Sequence, residues 1–214
     1  MFALCLVPAR SAHAAPAPPA GTTTLDEVLG AVVHTDGVDY EQLCGVRRPA
    51  LDKALAAICD WRSPGWSPAA DSFAVFAAPL VRYGARTLSL DQLEHDIIGA
   101  RTRDPLVSIA LSRATRSEPA LLPRAYRGQD LRETLAAAWR AFLRDPRRNR
   151  IDARARTMRL ARVFRRHASD FGGAAAMPAF VARQLGLAAS GWSVTFLADD
   201  EALDAGAPGA ATAH

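Results

Sequence analysis

Along this chain the apolar residues first settle into a pattern at Leu25, Val28, Leu29, Val32 and Val33, the spacing of one helix face, behind a Thr24 and Glu27 capping box. His34-Thr35-Asp36-Gly37 closes that helix, with Gly37 available for a positive φ. Val38-Asp39-Tyr40 leads on, and a second helix opens near Pro49 with Leu51, Leu55 and Ile58 on one side. Trp61 to Pro68 reads as a turn region, and Asp71 to Leu80 as a short apolar segment halted by Pro79. Val81 to Leu88 predicts a tight hairpin around Gly84. Ser89 and Gln92 then form a capping box for a helix whose apolar face holds Leu90, Leu93, Ile97 and Ile98.

Beyond Asp104-Pro105 the apolar run Leu106 to Leu111 predicts a buried strand, and Ser112 to Pro123 a polar loop. The longest helix starts under Asp130 and Glu133. It turns Leu131, Leu135, Ala138, Trp139 and Phe142 inward, and Asp145-Pro146 stops it. A strand is expected at Thr157 to Ala161, followed by a basic helical stretch to Phe171 and a loop over Gly172 to Met177. A helix over Pro178 to Leu187 and a last strand over Trp192 to Leu197 complete the set. There is no internal repeat. Helices and short strands mix without βαβ alternation, so the class is α+β: a single domain over 24–203, its helices packed on a small, mostly antiparallel sheet. Residues 1–23 read as a leader remnant and linker, and 204–214 as a disordered Gly/Ala/Pro tail.

Composition adjusts this picture in three places. The 214 residues suffice for a sizeable core. The net charge of +4 rests on 25 arginines against one lysine, Lys53, a ratio that a genome rich in G and C accounts for. Ten of those arginines lie between Arg144 and Arg166, as a solvated face or a grip on phosphates or an anionic envelope polymer. Asp145 and Asp152 interrupt the run and it lacks aromatics for stacking, so nucleic acid is not expected as a partner. At the start, the apolar run Phe2 to Val7 and the small residues of Ala12-His13-Ala14 resemble the end of a signal peptide, with Met1 an internal start and Cys5 ahead of the cleavage site. Export to the periplasm or medium is the expectation. No stretch approaches the ~20 apolar residues of a membrane span.

Candidate chemistry is sparse. Glu94 falls inside the apolar stripe of its helix and His95 at its edge. A carboxylate so placed is either a structural group held by an amide or an arginine, or a site residue. Cys44 and Cys59 either pair in an oxidising compartment or, for Cys59, form a plain core thiol; their spacing fits no metal motif. His-Glu-x-x-His, Cys-x-x-Cys and glycine-rich phosphate loops are all missing, so no cofactor or metal is implied. His167 sits in an arginine-rich helix and reads as a solvated surface residue, and His34 lies in a turn.

A set of short motifs runs in one order: Val38-Asp39-Tyr40, Arg86-Thr87-Leu88-Ser89-Leu90, Leu93-Glu94-His95-Asp96-Ile97-Ile98, Asp104-Pro105 and Ile109-Ala110-Leu111. Arg124-Ala125-Tyr126, the long helix, Val163-Phe164, Asp170-Phe171 and Phe196-Leu197-Ala198-Asp199-Asp200 follow. In that order, from Val38 to about Leu203, the chain resembles the bacterial domain-of-unknown-function family 547. The resemblance implies an exported protein related to papain-like and transglutaminase-like folds, with a Cys-Ala-Ser-x-Ser-Cys-Pro loop. Here the loop reads Ser112-Arg113-Ala114-Thr115-Arg116-Ser117-Glu118-Pro119. Arg113 and Glu118 occupy the two cysteine positions, and Ser108 replaces the histidine that precedes the family's Phe-Ala-Leu. The segment Phe73 to Ala78 has lost both asparagines of its counterpart, and about thirty following residues are missing.

A thiol nucleophile needs a thiolate and a base, and a guanidinium cannot take its place. The expectation is therefore a degenerate, non-catalytic relative of a cysteine-protease-like family, acting as a binding or interaction module for another protein or an anionic polymer. Two alternatives stand beside it. One is a hydrolase or acyl-transfer enzyme using Ser112 or Ser117 with His95, and the other an anion-binding envelope protein using the arginine-rich segment.

Overall fold

The computed structural model describes residues 22–59, 74–79, 81–83, 85–102 and 104–206. The leader, the Trp61 to Pro68 turn, most of the linker, Gly84, the last residues of the tail and the Cys59 side chain lie outside the described residues. The chain is α+β, and it gathers into two compact units. One takes the chain to Thr102 together with Leu122–Asp130 and the end from Ala205; the other takes Arg103–Leu121 and Leu131–Asp204. In place of one sheet there are three small ones.

The first unit opens with α1 (Thr22–Val32), which buries Leu25, Val28, Leu29 and Val32. The helix begins two residues before the expected cap, and Val33 leaves it for a strand. β1 (Val33–His34) and β2 (Gly37–Val38) pair antiparallel, Val33 opposite Val38. Gly37 takes φ 143°, which a side chain would resist, and lets the two strands turn so tightly. Asp39 caps α2 (Tyr40–Cys44), its carboxylate accepting the Gln42 amide at 2.8 Å. Cys44 there is an exposed, free thiol. α3 (Arg48–Cys59) packs on α1 through buried Leu51 and Ala54, and α4 (Ala74–Ala77) follows. The predicted hairpin is present as β3 (Val81–Tyr83) and β4 (Arg86–Leu88). α5 (Leu90–Gln92), a π-helical segment (Leu93–Gly99) and α6 (Ala100–Thr102) complete the run.

The Leu122–Asp130 segment is tied to this unit by Asp26, whose carboxylate accepts the Ala125 amide at 2.7 Å and pairs with Arg127. Burial lifts the Tyr126 phenol to about 12, even with the Arg124 guanidinium pulling it down. At the far end, Ala205 bridges Val38 and the Gly206 amide donates to the Val38 carbonyl.

The second unit begins with a correction. Leu106 to Leu111 is not a strand: α7 (Pro105–Ala110) is a helix with proline in its first turn, and the Asp104 carboxylate caps the Leu106 amide at 3.0 Å. A mostly apolar run of six residues, broken only by Ser108, is too short for its period to tell strand from helix, and here the cap decides. α8 (Leu131–Arg144) buries Leu135, Trp139, Phe142 and Leu143 at helical spacing. β5 (Arg150–Asp152), unforeseen in the sequence, pairs antiparallel with β6 (Thr157–Leu160). α9 (Val163–Arg166), a 3₁₀ turn (Ala168–Phe171) and α10 (Met177–Gln184) lead to β7 (Ser193–Phe196), which lies parallel to β6.

The core of the second unit is aromatic. Trp139 meets Phe164 edge-on with centroids 5.5 Å apart, and Phe171 meets Phe180 at 5.3 Å. Met158, Leu160, Met177 and Val181 close around them, each at most 1% exposed. The corner between α8 and β5 is a polar knot. Asn149, buried, donates to the Phe142 carbonyl at 2.8 Å and accepts the Ala161 amide at 3.0 Å.

Candidate functional site

The sequence points to two places, and they fall in different units: Glu94 and His95 in the first, the Ser112 to Pro119 loop in the second.

Around Glu94 the helix is built as its sequence dictates and then widens. The Ser89 hydroxyl accepts the Gln92 amide at 3.0 Å, and the Gln92 side chain accepts the Ser89 amide at 2.9 Å. From Leu93 the backbone becomes π-helical, and the Ala100 amide donates to the His95 carbonyl. Gly99 permits this, since a Cβ there would lie 3.2 Å from the Glu94 carbonyl oxygen. Glu94 is buried and His95 exposed, as the stripe implied. Asp91 joins them: one ligand atom from each of Asp91, Glu94 and His95 lies within 4.8 Å of the others. Two carboxylates and an imidazole are donors that suit a divalent cation. The sequence reading missed Asp91, although its place three and four residues before Glu94 and His95 is the spacing of one helix face.

The loop is closed on itself. The Ser112 hydroxyl, 3% exposed, donates to the Pro119 carbonyl at 2.6 Å and accepts the Ala114 amide at 3.0 Å. Ala114 sits at φ 58°, in the left-handed region that an alanine occupies only under constraint. The Glu118 amide donates to the Thr115 carbonyl at 3.1 Å, making a tight turn between the two positions where the resemblance expects cysteines. Those positions face each other, since one oxygen of the Glu118 carboxylate accepts the Arg113 backbone amide. The other oxygen pairs with the Arg166 guanidinium, which also reaches Asp199 at 3.4 Å.

Further bonds hold the loop from outside. Buried Arg148 donates to the Glu118 carbonyl at 2.6 Å and pairs with Asp145 and Asp204. Asp204, the first residue of the expected tail, is thus buried in the unit. Thr115 bridges Leu203, the Arg116 amide donates to the Ala202 carbonyl at 2.9 Å, and Ser117 accepts the Asp200 amide through its hydroxyl. The chain end carrying Asp199 and Asp200 therefore docks on the loop, so two motifs far apart in sequence meet here.

A third cluster was not foreseen. Ser108 on α7 donates to the Asp170 carboxylate, and His167 Nδ1 lies 3.5 Å from the same oxygen. The His167 side chain is 14% exposed, so it is not the solvated surface residue the arginine-rich context suggested. Asp170 stands between serine and imidazole, which is not the order in which a histidine activates a hydroxyl. In this unit the Asp145 carboxyl is also shifted. Burial pushes its carboxyl up, but hydrogen bonds from Arg147 and Arg148 outweigh burial and hold it below its ordinary value.

Residues 41–143, just under half of the chain, match a family described as Protein of unknown function, DUF547. The likeness read from the motifs is supported across that stretch, which includes both candidate places. No curated protein and no solved structure matches the chain.

Proposed function

We propose that the chain is a member of this family of unknown function from Val38 to about Leu203, and that it is a non-catalytic one, exported and acting as a binding or interaction module. The observation that carries this reading is the state of the Ser112 hydroxyl. Its proton is directed at the Pro119 carbonyl and its lone pair at the Ala114 amide. A serine nucleophile needs that proton on a base and its oxygen open to a carbonyl carbon. Glu118 and Arg113, at the positions given to cysteines by resemblance, are likewise engaged in closing the loop. The loop is read as a brace that fastens the chain end, with the Ser117 hydroxyl accepting the Asp200 amide. Export rests on the Phe2 to Val7 run and the Ala12-His13-Ala14 site.

The test is incubation of the purified protein with a serine-directed acylating probe, followed by intact mass. The reading expects no adduct. An adduct that disappears in Ser112→Ala or Ser117→Ala, and also in His95→Ala, would establish the acyl-transfer alternative instead.

A further inference from the structure

Four of the ten arginines from Arg144 to Arg166 are held by their own unit, and two of the others share one row of the sheet. Arg147, Arg148 and Arg166 pair with carboxylates of their own unit, and Arg156 donates to the Ser190 carbonyl at 2.7 Å. Arg150 and Arg159 have no ion pair with a described residue, and both are exposed. The strand register places them directly opposite each other on β5 and β6, with Thr195 of β7 next in the same row. The row below is Asp152, Thr157 and Ser193. Strand alternation sends Ile151, Met158, Leu160, Val194 and Phe196 toward the aromatic core and leaves these six on the open face.

Like charges directly opposite on neighbouring strands destabilise a sheet. The carboxylate nearest in the rows, Asp152, uses Oδ1 to accept the Arg154 and Ala155 amides of the β5–β6 turn, and Arg154 adds another exposed cation there. The face thus carries a cationic row with hydroxyls beside it and no aromatic ring in its six positions.

We propose that this face binds a linear, base-free phosphate polymer. Guanidinium forks match phosphate oxygens two at a time, and neighbouring strands about 4.8 Å apart root the two arginines side by side, within reach of successive groups of one chain. Threonine and serine hydroxyls extend the row as further donors. Without a ring to stack on, a nucleobase gains nothing here, so a polymer of phosphates alone fits the face better than nucleic acid. The inference deepens the reading of the chain as a binding module, and the two fail separately: a reactive loop serine overturns that reading and leaves the charge on this face untouched.

The experiment is titration of the full chain with inorganic polyphosphate at several salt concentrations. Binding should weaken as salt rises, and Arg150→Glu/Arg159→Glu should lose affinity by about tenfold or more, as expected for two lost phosphate contacts. Arg132→Glu/Arg140→Glu on α8 changes the net charge equally and should keep the parent affinity. Arg159→Glu alone should bind more weakly yet unfold at a higher midpoint, because it replaces a like-charge pair by an opposite one. Arg159→Gln, which introduces no new charge, should also bind more weakly. Absence of polyphosphate binding, equal losses in the sheet and helix variants, or equally tight binding of a single-stranded oligonucleotide would each overturn the proposal.

Discussion

Asp145 shows how one residue can build the corner that ends a helix. Its carboxylate takes the Arg147 amide at 2.9 Å and the guanidinium groups of Arg147 and Arg148, while its backbone carbonyl accepts the Asn149 amide at 2.8 Å. The carboxyl titrates below its ordinary value, so the folded state binds that proton less readily than the unfolded chain. Its stabilisation is therefore complete above the ordinary carboxylate range and is lost as pH falls through the lowered folded value. Denaturant titrations at descending pH should show this loss in the parent, and Asp145→Asn should flatten it. At this scale the sequence was legible where a residue broke a pattern, as Glu94 does on its apolar stripe. Arg148 and Asn149 broke none. Among ten arginines in one segment, nothing marks the one whose guanidinium is buried between two aspartates.

Elements with a long period were legible. The α8 helix shows its inward positions in the sequence because fourteen residues sample the period four times over. Its Trp139 contacts Phe164, Phe171 and Phe180, while the indole N–H has no acceptor among the described residues. Trp139→Ala should cost about 3–5 kcal/mol in unfolding free energy by leaving a cavity. Trp139→Phe should cost clearly less, since it also removes a buried donor without a partner. Short elements behaved differently. α7 read as a strand because a six-residue, mostly apolar run is too short to show a period, and β5, a three-residue strand, is specified by its pairing with β6 rather than by its own residues. The π-helical widening from Leu93 left only a glycine as its trace.

At the scale of the molecule, the α+β class followed from the sequence, while α7, β5, the three separate sheets and the two units did not. Sheet membership depends on contacts between distant segments, as in the parallel pairing of β6 with β7 across thirty-odd residues. The candidate site was legible by its substitutions. Arg113 and Glu118 stand out because a family resemblance supplies an expectation at those positions, but their joint role as a closure appears only when Glu118 is seen reaching the Arg113 amide and Arg166.

A loop that serves as a brace depends on its buried Ser112 hydroxyl, and the unfolding free energy of Ser112→Ala measures that dependence. Removing the hydroxyl leaves the Ala114 amide and the Pro119 carbonyl of a buried loop without that partner. The expected loss is about 1–3 kcal/mol, the usual cost of a buried group stripped of its hydrogen bond. A serine held ready for chemistry would behave the other way, because reactive residues are commonly kept at the expense of stability. A Ser112→Ala protein as stable as its parent, or more stable, would mean that the loop is not a brace.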